Sequence, residues 1–250
     1  MRSRTSSPDA EHAGAVIELH EAGVTVEVPG PAGTLERRVV LEPLTCVLAE
    51  RRIAVIGANG SGKSTLARLV NGLRPPTTGR VTTCGFDVAT QGARVRALVG
   101  FVFTDPDAQL VMPTALEDVA LSLRRTVPDR REREARALEV LERFGLGDRA
   151  HTPVHALSGG QKQLLALAGV LAAQPQVLVA DEPTTLLDLR WRRLVADVLD
   201  AVPAQVIHVT HDLEAAERAD RVLVVDGGRV VADGPAAEAV AAYRDLMAVR

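Results

Sequence analysis

Short apolar runs that end in glycine or in carboxylates, each separated from the next by stretches with helical spacing, set the pattern of this chain. "RRIAVIG" (51–57) predicts a short buried strand closed by glycine, and "SGKSTLARLVNGL" (61–73) predicts the helix that follows it, stopped near Asn71-Gly72 with Pro75-Pro76 beyond. "RALVGFVF" (96–103) predicts a second strand. "QVLVADEP" (176–183) predicts a third, running straight into two carboxylates, and "QVIHVTHD" (205–212) a fourth that ends in polar residues. "VIELHEAGVTVEV" (16–28) reads as β-rich, with turn signals at Gly23 and over 29–33, and "RVLVVDGGRVVADG" (221–234) as a hairpin around Asp226-Gly227-Gly228.

Three helix starts carry their own signals. Thr114 with Glu117 forms a capping box ahead of "ALEDVALSLRR". Asp129 with Glu132 opens "RREREARALEVLERF", which ends before Gly145. Ser158 with Gln161 opens a helix that runs to Gln174-Pro175. The charge run after Asp129 mixes signs, with Glu132–Arg136 and Glu139–Arg143 at i,i+4, and reads as a solvated face rather than a nucleic-acid helix.

Strands alternating with helices imply an α/β fold with a mainly parallel sheet, to which antiparallel β-structure is added in the N-terminal region and at the late hairpin. The helix-rich stretch 105–163 interrupts the alternation and reads as an inserted helical subdomain. The expected organisation is a disordered tail (1–14) and one domain (15–250). That domain comprises core segments 15–104 and 164–234, the insert 105–163 and a closing helix 235–250.

Bulk composition narrows the function. With 250 residues, 46% of them hydrophobic, the chain can bury a large core. Its 29 basic and 32 acidic residues give a net charge of -3, which argues against nucleic acid as a partner. No apolar run approaches the ~18 residues of a membrane span. The two cysteines, Cys46 and Cys84, have no clustered partner and are expected as buried free thiols. His151 and His155 are four apart, but Pro153 between them breaks the helix that a metal pair would need.

The chemistry concentrates at three strand ends. "GANGSGKST" (57–65) matches G-x-x-x-x-G-K-[ST] after a strand and before a helix, the context in which that motif binds phosphates. Backbone N–H groups of such a turn, with the positive end of the helix dipole, aim at phosphate oxygens; Gly57, Asn59, Gly60, Ser61, Gly62, Lys63, Ser64 and Thr65 are the candidate nucleotide contacts. Lys63 can reach the terminal phosphates and Ser64 offers a hydroxyl to Mg²⁺. Only Lys63 and Lys162 are lysines in an arginine-rich chain, and a compact ammonium suits a narrow cradle. Asp181 is placed to hold Mg²⁺ through its water shell, and Glu182, one residue on, to act as general base toward a water. His211, just past the fourth strand, is a candidate to orient the same water.

"GANGSGKST", "LSGGQKQ", "VLVADEPTTLLD" and "VTHD", in that order and over nearly the whole chain, resemble the ATPase subunits of ATP-binding cassette (ABC) transporters. The resemblance implies a RecA-like P-loop core, ATP and Mg²⁺ as ligands, and ATP hydrolysis. It implies that two such subunits pair head to tail, so that Leu157, Ser158, Gly159, Gly160 and Gln161 meet the ATP held by the partner. It gives Asp188 the linking role of the D-loop, although Leu186 stands where the family has a small residue. It also implies a transmembrane coupling protein, a substrate-binding membrane component, and a place on the cytoplasmic face of the membrane through those partners. "FVFTDPDAQLVMPTALEDVALSL" (101–123) is similar to the corresponding segment of energy-coupling factor importers for biotin or for cobalt and nickel ions. Two positions depart from the pattern. The adenine-stacking aromatic is replaced by Val28, and Thr104 stands where the family has the Q-loop glutamine. The expectation is that Thr104 lies beside the γ-phosphate with a water filling the gap, because Gln109 would reach it only if the loop folded back past Pro106. Non-transport members with a long coiled coil need more room than the 95 positions from Lys63 to Ser158, and generic P-loop kinases or GTPases have no use for the LSGGQ segment.

Overall fold

The computed structural model describes residues 16–30, 33–185 and 187–248. The expected tail over 1–14 and the substitution at Leu186 lie outside the described residues. The first two strands, β1 (Ile17–Pro29) and β2 (Leu35–Leu48), form a long antiparallel hairpin with register shifts near Ala22 and Val24. The order continues with β3 (Arg52–Ile56), α1 (Lys63–Asn71), β4 (Thr78–Thr83), β5 (Phe86–Asp87), α2 (Gly92–Leu98) and β6 (Val99–Val102). Then come α3 (Ala115–Leu123), α4 (Arg130–Arg143), α5 (Gly159–Ala172), β7 (Val177–Asp181), α6 (Leu189–Ala201), β8 (Gln205–Val209) and α7 (Leu213–Ala216). The hairpin β9 (Arg221–Asp226) and β10 (Arg229–Pro235) and the closing helix α8 (Ala236–Ala248) complete the chain.

Two sheets result. One is antiparallel in the order β2-β1-β4-β5. The other is six-stranded in the order β10-β9-β3-β8-β7-β6, parallel except for β10. Central strands are buried on both faces, so alternate residues serve different cores. Val177 and Val179 face a cluster shared with α1, α2 and the antiparallel sheet; Leu178 and Ala180 face one shared with α3, α4, α5 and α6. A third, smaller cluster sets α7 and α8 against Ala54, Ile56, Val222 and Val224.

All three capping signals act as expected: Thr114 and Ser158 form complete capping boxes, and Asp129 accepts from the Glu132 N–H. The second predicted strand was too long. Residues 92–98 are α2, and β6 starts only at Val99, because the short apolar step Ala97-Leu98 fits the last turn of a helix as well as a strand. The insert boundary expected at 163 falls inside α5, which packs both against the inserted helices α3 and α4 and against β6. Glu132–Arg136 pairs at 2.7 Å, and Arg130–Glu134 adds a pair at 2.8 Å. Cys46 and Cys84 are free but only half-buried, and burial pushes the Cys46 thiol up to about 11.

The parallel pairing decides where chemistry can occur. β3 pairs with β8 at Val55–Val209, and β7 with β8 at Asp181–Val209. Gly57, Glu182 and His211, each just beyond its strand, therefore share one carboxyl-end rim, where α/β sheets take their ligands.

Candidate phosphate site and signature helix

The loop between β3 and α1 is built around its own lysine. Lys63 is 6% exposed, and its Nζ donates to the carbonyls of Gly57 at 2.8 Å and Ala58 at 2.9 Å. Burial lowers its pKa, partly offset by Glu182 and Asp181. Gly57 has φ of 148°, and a Cβ there would stand 2.0 Å from the Val225 carbonyl oxygen, so no other residue fits the turn. α1 opens at Gly62 with no side-chain cap, which leaves its first N–H groups free for an anion. The Ser61 Oγ is buried without a partner among the described residues. These features fit a bound phosphate chain.

A pocket of about 220 Å³ lies above this loop, lined by Asn59, Gly60, Gly62, Lys63, Ser64 and Thr65, with Val40 and Glu182 completing the wall. Ser64 donates its hydroxyl to Asp181 Oδ1 at 2.8 Å. Asp181 is 2% exposed, and burial raises its pKa, against the pull of the Ser64 hydroxyl and of Arg68, whose guanidinium is 4.0 Å from Oδ2. A hydroxyl and a carboxylate oxygen in contact are the hard-oxygen donors that Mg²⁺ takes, so these two residues fit that ion.

Glu182 sits in the left-handed region at φ 53°, with its N–H on the Val209 carbonyl. One carboxylate oxygen, Oε2, accepts from the Thr185 hydroxyl at 2.7 Å and meets His211 Nδ1 at 2.6 Å. The other, Oε1, has no partner among the described residues. The structure thus brings Lys63, Ser64, Asp181, Glu182 and His211 together on one rim.

It does not bring the remaining sequence candidates there. None of 157–161 lines the pocket of its own chain. Leu157 is buried in the apolar cluster, Ser158 and Gln161 are spent on each other, and Gly159 is exposed. Gly160, expected as bare backbone, is buried against Trp191. Asp188 caps α6, accepting from the Trp191 N–H at 3.1 Å. Val28 pairs with Glu36 in the first hairpin, and the aliphatic side chain that lines the pocket is Val40.

Thr104 is not among the residues that line the phosphate pocket. Its hydroxyl donates to the Asp181 carbonyl at 2.7 Å, which ties the end of β6 to the end of β7. The loop does fold back: Gln109 Oε1 accepts from the Phe103 N–H at 3.3 Å, and Gln109 Nε2 donates to the Ala166 carbonyl at 3.4 Å. Gln109 therefore joins the loop to α5 rather than replacing a glutamine at the phosphates. Lys162 pairs with Asp107 at 2.7 Å, and Gln163 donates to the Phe103 carbonyl at 3.2 Å, so three contacts fasten this loop to α5.

Sequence reasoning missed Thr185, Arg68 and Val40. Spacing could have found the first two, since Thr185 lies three residues beyond Glu182 and Arg68 one helical turn beyond Ser64. Nothing in a single strand's pattern points to Val40. Among the described residues, no cluster of histidine, cysteine or acidic residues could hold a metal by itself, and no helix is long and apolar enough to cross a membrane.

Comparison with known proteins agrees with this geometry. The family described as "ABC transporter" matches residues 44–185. The chain is 48% identical over 211 residues to the "Biotin transport ATP-binding protein BioM" of Rhizobium etli, covering 84% of this chain and 94% of that one. Its fold superposes with TM-score 0.76 and 28% identity on the dimeric post-hydrolysis structure of the ATP-binding cassette MJ0796 bound to ADP and Pi, covering 88% of this chain and 98% of that one. It matches cbiO1 of Clostridium perfringens, part of the ABC transporter complex cbiONQ, with TM-score 0.72 and 29% identity, covering 93% and 92%. With a phosphate loop, two acidic residues and a capped LSGGQ helix set as that family sets them, the chain belongs to the ABC transporter family and is an ATP-binding, ATP-hydrolysing subunit of it.

Proposed function

We propose that this subunit powers an energy-coupling factor importer for biotin or for a cobalt or nickel ion, working as one half of a head-to-tail ATPase pair. The contact of Ser64 Oγ with Asp181 Oδ1 at 2.8 Å, on the wall of the phosphate pocket beside Glu182, carries the catalytic part of the reading. Mg²⁺-ATP, when bound, supplies the phosphoanhydride to be cleaved and the charge that must be balanced. Ser64 and Asp181 hold the ion, and Lys63 and the free N–H groups after Gly62 hold the phosphates.

Glu182 Oε1 takes a proton from the attacking water while the water oxygen bonds to the terminal phosphorus and the bond to ADP breaks. The hydroxyl of Thr185 and the ring of His211 fix Oε2, so that Oε1 has one orientation. Gly159 is exposed, with nothing within 4 Å of its Cβ position, which supports a partner's nucleotide approaching there. The dimeric relative and the cbiONQ subunit support a paired ATPase on membrane components, and the cytoplasmic face is where the resemblance puts such a pair. Biotin rests on the BioM relative.

Glu182→Gln tests the reading. It is expected to slow hydrolysis by about 10²–10⁴-fold, the usual contribution of a general base, and to accumulate an ATP-bound dimer in size-exclusion chromatography. Hydrolysis at the wild-type rate would remove Glu182 from the role. Co-purification with membrane partners, followed by identification of the bound cargo, tests the transport assignment.

A further inference from the structure

The two adjacent glycines at the start of α5 have different neighbours. A Cβ on Gly159 would meet nothing within 4 Å. A Cβ on Gly160 would fall 2.4 Å from Cγ and Cδ2 and 2.6 Å from Cδ1 of Trp191. Those atoms belong to the five-membered ring, so the indole rests directly on the Gly160 backbone. Trp191 is the chain's single tryptophan.

It is also tied to Asp188. The backbone N–H of Trp191 donates to Asp188 Oδ1 at 3.1 Å, the cap of α6, and Arg192 Nε donates to the Leu187 carbonyl at 2.9 Å. Leu187 and Leu157 are buried in the same apolar cluster, against which Trp191 packs. The starts of α5 and α6 are therefore joined by one ring lying on a glycine.

We propose that Trp191 is a positioning residue that clamps the N-terminus of α5 to the Asp188 segment. The two elements that the head-to-tail reading sends toward the partner's ATP then leave the chain as one rigid unit. The proposal rests on that reading. It also separates the two glycines by their neighbours: the indole stands where a Gly160 side chain would, whereas the Gly159 Cβ position is open.

The division is testable in the full chain by measuring steady-state ATPase, nucleotide binding to the lone subunit, thermal melting and tryptophan emission. Gly160→Ala overpacks the contact, and is expected to shift the emission to the red and to slow hydrolysis by about tenfold, with nucleotide binding unchanged. Adding Trp191→Ala in the same chain is expected to bring the rate back to that of Trp191→Ala alone. Trp191→Ala by itself lowers kcat severalfold without moving KM for ATP, and Trp191→Phe restores most of the rate. Gly159→Ala leaves the emission unchanged, slows hydrolysis, and is not relieved by Trp191→Ala. A Gly160→Ala/Trp191→Ala chain as slow as Gly160→Ala alone overturns the clamp, as does Gly160→Ala with unshifted emission. If the clamp tests hold while Glu182→Gln stays monomeric with ATP, the clamp stands and the head-to-tail reading falls. If Glu182→Gln dimerises and the relief is absent, the reverse is true.

Discussion

The helices that open at Gly62 and at Ser158 both begin beside glycine, yet they end their backbones in opposite ways. α1 has no side-chain cap; its loop folds around Lys63, and the buried Ser61 hydroxyl stays unpaired. α5 is fully capped by Ser158 and Gln161. A side-chain cap contributes about 1 kcal/mol. A helix that forgoes it, and also buries a lysine and an unpaired hydroxyl, is arranged for an anion that belongs to the same chain. A helix that keeps its cap is stable alone and can wait for a ligand that arrives from elsewhere. On the proposed head-to-tail reading, the contrast is between a complete phosphate cradle and half of a second site.

The largest effect breaks that contrast directly. Lys63→Ala is expected to abolish nucleotide binding by the lone subunit, whereas Gly159→Asp or Ser158→Arg leaves it near wild type and still stops hydrolysis. Mixing a Lys63→Ala chain with a Gly159→Asp chain gives a dimer with one intact composite site and one that is doubly broken, so measurable activity should return. Loss of nucleotide binding in lone Ser158→Arg contradicts the assignment of α5 to a partner's site.

A pH experiment sharpens the comparison on the sheet side. His208 lies on β8, between β3 and β7, which carry the phosphate loop and the carboxylates; its Nε2 is buried without a partner among the described residues. Burial lowers its pKa from 6.5 to about 4, against weaker pulls from Glu182, Asp212 and Asp200. The unfolded chain therefore binds the proton first. The stability held with a neutral His208 is fully present above pH 6.5 and is lost as pH falls toward 4, by about 3 kcal/mol over the window. Denaturant unfolding across that range should show this contribution as the difference in slope between the wild type and His208→Val, because buried Asp181, with its raised pKa, contributes in the opposite sense in both chains. Asp87, held at about 2 chiefly by the Thr90 N–H and by Arg80, contributes stability that is present above pH 3.8 and lost below it, outside this window.

The next effect is smaller and concerns the loop that joins the two ends. Thr104→Val removes the hydrogen bond to the Asp181 carbonyl, next to Glu182, and leaves a buried acceptor unpaired. With about 1 kcal/mol at stake, the expected result is a severalfold loss of kcat with unchanged nucleotide binding. Thr104→Gln, longer by about two heavy atoms, should lose the same contact; a rate at or above wild type would place position 104 at the phosphates after all. The smallest effect concerns the base. No aromatic precedes Phe86, so the first strands offer no ring to stack on a base. Without stacking, a term of about 1 kcal/mol, ATP and GTP are expected to bind within severalfold of each other in a competition assay.

The amino-acid sequence alone determined the local elements and the chemistry of the phosphate loop. Strand, glycine turn, lysine and helix are contiguous, so G-x-x-x-x-G-K-S carries its own geometry from Gly57 to Ser64. The three capping signals were legible for the same reason, since a cap is settled within four residues. The β3-to-β8 rim followed from alternation of strand and helix, and Asp181, Glu182 and His211 were readable as strand-end groups. The tertiary structure decided what depends on distant partners. It placed Val40 at the phosphate pocket, turned the Thr104 hydroxyl to the Asp181 carbonyl, and folded Gln109 back onto Phe103 and α5. It also covered Gly160 with an indole thirty-one positions later in the chain (160 to 191). Such contacts are set by how helices and strands pack in three dimensions, and a glycine looks the same in a sequence whether it makes room for its own chain or for another molecule.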